Sequence, residues 1–143
     1  MNLDNMNIEE IVDNFALLDD WEDRYRYLID LGSRLPAMEE ALKTEETRVR
    51  GCMSQVWMVM GWEKDRDGNH RLSLLADSDA QIVKGLIAVL YAIYCGKMAK
   101  EISVIDIDQI FGKLGLNQHL SPNRRNGFYA MVERIRSFTA EHK

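Results

Sequence analysis

The hydrophobic pattern of this chain changes period twice. Apolar residues recur at helical spacing from about Ile8 to Leu18 and again from about Asp20 to Ser33. In the second segment Trp21, Tyr25 and Leu28 fall on one face, Asp19 or Asp20 supplies a cap, and Gly32 and Pro36 close it. Lys43–Arg50 is polar and reads as irregular, ending in Gly51-Cys52. Ser54–Trp62 then favours a strand, with Val56, Met58, Met60 and Trp62 alternating against Trp57, Val59 and Gly61. Both sides are apolar, which predicts that both faces are covered. Asp65-Arg66-Asp67-Gly68-Asn69 is a turn and His70–Leu75 the returning strand, giving a hairpin.

Helical spacing returns after the hairpin. Ser78-Asp79-Ala80-Gln81 reads as a capping box opening a helix over Ala80–Tyr94. Ile82, Val83, Leu86, Ile87, Val89, Leu90 and Ile93 surround that helix, which predicts burial in the middle of the domain. Ile107–Leu114 is a shorter helix. Ser121-Pro122 opens the last one, with Phe128, Met131, Val132, Ile135 and Phe138 as its core stripe. Helices, then a small antiparallel sheet, then helices make an α+β fold, and the 143 residues fit a single domain, 1–143.

Composition narrows the function classes. With 46% hydrophobic and 29% charged residues the chain is globular rather than disordered. A formal net charge of -5 argues against nucleic-acid binding, which needs a basic face. The polar, acidic stretch Met1–Glu10 lacks the features of a secretory signal, and the longest apolar run, within Leu86–Cys95, is too short for a membrane span. A cytoplasmic protein is the expectation.

Two cysteines stand in different settings. Cys52 follows Gly51, with Arg48 and Arg50 upstream. Glycine gives the backbone freedom, and nearby cations favour the nucleophilic thiolate. A thiolate on a loop can attack a persulfide sulfur held by another protein; the competing reading is a buried, inert cysteine. Cys95, beside Gly96 at a helix end, reads as core filler, the alternative being a redox partner for Cys52. His70, His119 and His142 do not suggest a zinc site, and two cysteines are too few to hold an iron–sulfur cluster. Arg124 and Arg125 oppose the dipole in the first turn of the last helix, so they form either a solvated face or a docking contact. Asp79, at the start of the buried helix, reads as a dipole-favouring structural residue.

Several segments, taken in order, resemble the SufE family of cysteine desulfuration proteins. Val49-Arg50-Gly51-Cys52-Met53-Ser54-Gln55-Val56-Trp57 is similar to the family's Gly-Cys-x-Ser-Gln-Val-Trp signature. Asp77-Ser78-Asp79-Ala80 running into Ile82-Val83-Lys84-Gly85-Leu86, and Gln118-His119-Leu120-Ser121-Pro122-Asn123-Arg124, resemble two further family segments, the latter with Asn123 in place of the usual Ser. Trp21-Glu22-Asp23-Arg24-Tyr25 and Leu31-Gly32-Ser33-Arg34-Leu35-Pro36 also fit.

The resemblance implies a fold shared with IscU-type scaffolds and a persulfide carried on Cys52. It implies a pyridoxal-phosphate cysteine desulfurase of the SufS type as partner, the SufBCD scaffold as recipient, and no cofactor on this chain. It makes Gly51, Asp79 and Arg124 partner-contact positions and the chain an accessory to the desulfurase rather than a stand-alone enzyme. A partner of the kind served by the relative CsdE is an alternative. Rival readings are a cluster scaffold, which predicts more cysteines; a thiol hydrolase or acyltransferase, which needs a histidine at Cys52; and an adaptor that activates a desulfurase by binding alone.

Overall fold

The computed structural model describes residues 7–51 and 54–141. Helix α1 spans Ile8–Leu17 and α2 spans Trp21–Ser33. Strands β1, Val56–Lys64, and β2, His70–Ser78, form an antiparallel hairpin. Helix α3, Gln81–Tyr94, follows, then the short helices α4, Ala99–Ile102, α5, Ile107–Lys113, and α6, Leu116–His119, and finally α7, Pro122–Ala140. The α+β class expected from the sequence is the one found.

Local chemistry sets most of the boundaries. The Asp20 carboxylate accepts from the Asp23 N–H at 3.0 Å and starts α2. The Ser121 hydroxyl accepts from the Arg124 N–H at 3.3 Å, with Pro122 at the first helical position of α7. In the hairpin turn the Asp65 carboxylate accepts from the N–H groups of Asp67 and Asn69, at 2.9 and 3.0 Å, and Gly68 takes φ +83°.

The start of α3 differs from the expectation. Ser78 is the last residue of β2, its hydroxyl accepts from Ala80 N–H at 3.2 Å, and the N-cap, Ala80, makes no side-chain bond. No capping box forms, because β2 runs three residues past Leu75 and draws Ser78 into the ladder opposite Val56. Asp79 therefore precedes the helix instead of sitting in its first turn.

Helix α3 is the centre of the core, as its all-round apolar sequence requires. Leu86, Ile87, Val89, Leu90 and Ile93 are buried, and each contributes roughly 1.5–3 kcal/mol through removal from water. Helix α2 crosses α3 where Gly32 faces Gly85; a Cβ on Gly85 would clash with the Leu28 carbonyl oxygen. One face of the hairpin, with Val56, Met58, Leu72, Leu74 and Ala76, joins this core. The other face, with Trp57, Val59 and Leu75, is only half-buried, so the expected full cover of both faces is partial. Among the described residues no helix is long and apolar enough to cross a membrane.

Candidate functional site

The segment predicted to be irregular is turns with a single antiparallel bridge, Arg48 to Trp57. Thr47 and Val49 pair with β1: the Met58 N–H donates to Thr47 O at 2.8 Å, and the Val49 N–H donates to Val56 O at 2.8 Å. Residues 47–49 and β1 thus close a stem around a connector of residues 50–55. Cys52 belongs to that connector by sequence and itself lies outside the described residues.

Each end of the connector has its own anchors. Upstream, the Arg134 guanidinium of α7 donates to Arg48 O at 2.7 Å and to Glu46 O at 2.6 Å. Gly51 is exposed at φ +91°, a conformation L side chains rarely adopt, and a Cβ there would meet the Ala130 side chain of α7 at 3.4 Å. Ala130 and Arg134 are one turn apart, so a single stripe of α7 backs the upstream arm. Downstream, the Gln55 N–H donates to the Asp79 carboxylate at 3.1 Å, and the Asp79 N–H donates to Gln55 O at 3.3 Å.

The root of the arm is held electrostatically. Lys43 lies 3.1 Å from Asp77 and 5.2 Å from the Trp57 ring centroid, while Lys84 reaches Asp77 at 3.4 Å. Burial pushes the Asp77 carboxyl up. The Lys43 hydrogen bond, the Ser78 N–H and the Lys84 charge outweigh it and hold the group below the usual carboxylate range. The Asp77 hydrogen bond, then that of Glu40, raises the Lys43 ammonium above its ordinary value. The outlying Arg50–Glu45 pair, 3.4 Å apart and highly exposed, contributes little.

Beside the connector a groove of about 380 Å³ opens between α3 and α7. Ser54 and Arg124 are among its polar lining residues, and Val83, Leu86, Phe128 and Met131 are its large apolar ones. Arg124 is exposed and shares this groove with Ser54, whereas Gly51 and Asp79 belong to the connector's two ends.

Cys95 caps α3 at the far end of the hairpin. It is half-buried, with its thiol 3.7 Å from Leu72 O. Leu72 pairs with Trp62, six residues along β1 from Val56, a separation of about 20 Å. That distance from the connector's stem supports the structural reading of Cys95. His70 pairs with Lys64 still farther along, and the His119 ring stacks on Trp21 with centroids 3.9 Å apart. His142 lies outside the described residues.

Gln55 and Asp77 stand in segments that resemble those of the SufE family, but the sequence assigns neither a partner, and nothing in the pattern marks Lys43, or distinguishes Arg134 from a solvated arginine.

The sequence matches the SufE family, described as "Fe-S metabolism associated domain", over residues 9–139. The chain belongs to the SufE family. An uncharacterised SufE-like protein of Rhizobium meliloti is 50% identical over 131 residues, which cover 92% of this chain and 93% of that protein. Another, of Rhizobium etli, is 49% identical over 130 residues, covering 91% and 87%. The solution structure of a hypothetical protein from Thermus thermophilus superposes with a TM-score of 0.73 at 18% identity, covering 94% of this chain and 93% of that one. At that identity the likeness shows the fold alone. Membership of the SufE family connects the chain with iron–sulfur metabolism.

Proposed function

We propose that this SufE-family chain is a sulfur acceptor that takes persulfide sulfur on Cys52 from a cysteine desulfurase and carries it towards iron–sulfur cluster assembly in the cytoplasm. The observation that carries the reading is the connector of residues 50–55: it holds Cys52 in sequence, is pinned at both ends, and borders a groove lined in part by Arg124. A short loop on a rigid stem lets a nucleophile reach into another protein without unfolding its own core.

The exchange is a thiolate displacement. The Cys52 thiolate attacks the outer sulfur of the donor's persulfide. A new S–S bond forms, the donor's S–S bond breaks, and the electron pair leaves on the donor's cysteine thiolate. Cys52 is left as a persulfide and no external oxidant or reductant is consumed. Pyridoxal phosphate is the desulfurase's cofactor on this reading, the donor is of the SufS type, and SufBCD is the recipient. Gly51, Asp79 and Arg124 lie around the connector and groove and are the proposed contacts with the donor.

Intact mass after incubation with a desulfurase and free cysteine tests the proposal. Wild type is expected to gain about one sulfur atom (~32 Da), removable by reductant, and Cys52→Ser none. Loading of the Cys52→Ser protein would overturn the assignment of the acceptor. Stimulation of the desulfurase with no adduct on wild type would replace the acceptor by an adaptor.

A further inference from the structure

We infer that Arg134 is a positioning residue for the sulfur-accepting loop, holding the upstream stem of the connector at a fixed place against α7; its bearing on transfer rests on the function proposed above. The backbone geometry explains why a guanidinium is needed. Thr47 O and Val49 N–H point towards β1, where Met58 and Val56 occupy them. Arg48 bridges Trp57 in the middle of this pairing, so its carbonyl faces away from β1, and Glu46 lies in the turn just before it. Both carbonyls need N–H donors from elsewhere. Arg134 supplies them from one side chain, at 2.6 and 2.7 Å. A planar fork can span two carbonyls at once, whereas a lysine ammonium is a single point. Arg134 is half-buried and Arg48 lies two residues before Gly51's neighbour Arg50, so small movements of the arm pass directly to the base of the connector.

The stem is therefore held unequally. Its upstream arm is fixed to β1 by backbone pairing, to β2 through Lys43 and Asp77, and to α7 through Arg134. Its downstream end has the two longer bonds between Gln55 and Asp79, both exposed residues. The upstream arm is therefore the better-fixed end of the connector, and Arg134 sets its place against α7.

The test uses the full chain with Arg134→Ala and Arg134→Lys and two readouts. The first is the alkylation rate of Cys52 in the absence of any donor, followed by peptide mass so that Cys95 is scored separately. The second is the rate of sulfur loading from a desulfurase at varied acceptor concentration. Arg134→Ala is expected to speed alkylation and lower the maximal loading rate, each by roughly fivefold or more. Free guanidinium at tens of millimolar is expected to reverse both, and Arg134→Lys to fall between. A merely structural role lowers Tm without guanidinium reversal. Wild-type alkylation and loading in Arg134→Ala, or effects in it that guanidinium leaves unmoved, would overturn the inference; if Arg134→Ala does not fold, wild-type rates in Arg134→Lys would do so. Failure of the sulfur-acceptor reading is separate: wild type would then take no sulfur, while the alkylation arm still reports on Arg134.

Discussion

Gln55 and Asp79 exchange two hydrogen bonds, the Gln55 N–H to the Asp79 carboxylate at 3.1 Å and the Asp79 N–H to the Gln55 carbonyl at 3.3 Å. The pair joins the downstream end of the connector to the entry of α3. Asp79→Ala removes the acceptor for the Gln55 amide and is expected to cost about 0.5–1.5 kcal/mol locally. Amide hydrogen exchange at Gln55 should quicken accordingly, whereas Asp79→Asn, which keeps a side-chain oxygen, should change it less.

Asp77 makes stability depend on acid. Its folded pKa lies below the unfolded value of about 3.9. Its contribution is therefore present above that value and lost as pH falls through the lower, folded one. Asp77→Asn is expected to reduce stability at neutral pH by roughly 1–3 kcal/mol. Urea unfolding between neutral pH and strongly acid pH should show the gap between variant and wild type narrowing as the carboxylate protonates.

Tyr129 has the opposite limb. Burial, then its hydrogen bond to Asp108 at 2.7 Å, pushes the phenol up to about 12. The unfolded phenol ionises near ~10. The folded state thus holds this proton more tightly; the stabilisation is full below the unfolded value and fades as pH climbs through the folded one. Tyr129→Phe should flatten the alkaline fall in stability, measured by urea unfolding across that range.

Gly85→Ala tests the crossing of α2 and α3. The added methyl would meet the backbone of Leu28, which has no rotamer to give way. Overpacking of this kind costs about 1–3 kcal/mol, and calorimetry should register it as a Tm lower by several degrees. Gly61→Ala, where a Cβ meets nothing within 4 Å, serves as the comparison.

The sequence revealed this fold wherever one periodicity dominated. α3 is apolar all round and lies at the core, and Ser121-Pro122 begins α7 as the capping rules require. It misled where local chemistry competed with a longer-range ladder: Ser78 carries a good cap signal, yet pairing with Val56 keeps it in β2. Thr47–Val49 reads as irregular and is, yet it bridges β1 through Arg48 and Trp57, a long-range contact that no local pattern shows. The short helices α4 and α6 span four residues each, too few to show a period. Gly51, Asp79 and Arg124 stand in segments that resemble the family's, and the structure puts them around the connector and the groove. Arg134 could not be singled out, because its significance lies in two main-chain oxygens 86 and 88 positions away.

The fork of Arg134 has a further effect on how this protein meets copies of itself. An extended segment with a row of unclaimed main-chain acceptors invites a neighbouring chain to zip alongside, the usual first step of aggregation. Here the carbonyl of the bridged Arg48 and that of Glu46 in the turn before it are already occupied by a charged group that no incoming strand can pair with. The edge beside the connector of residues 50–55 is thus guarded against self-recruitment at these two oxygens.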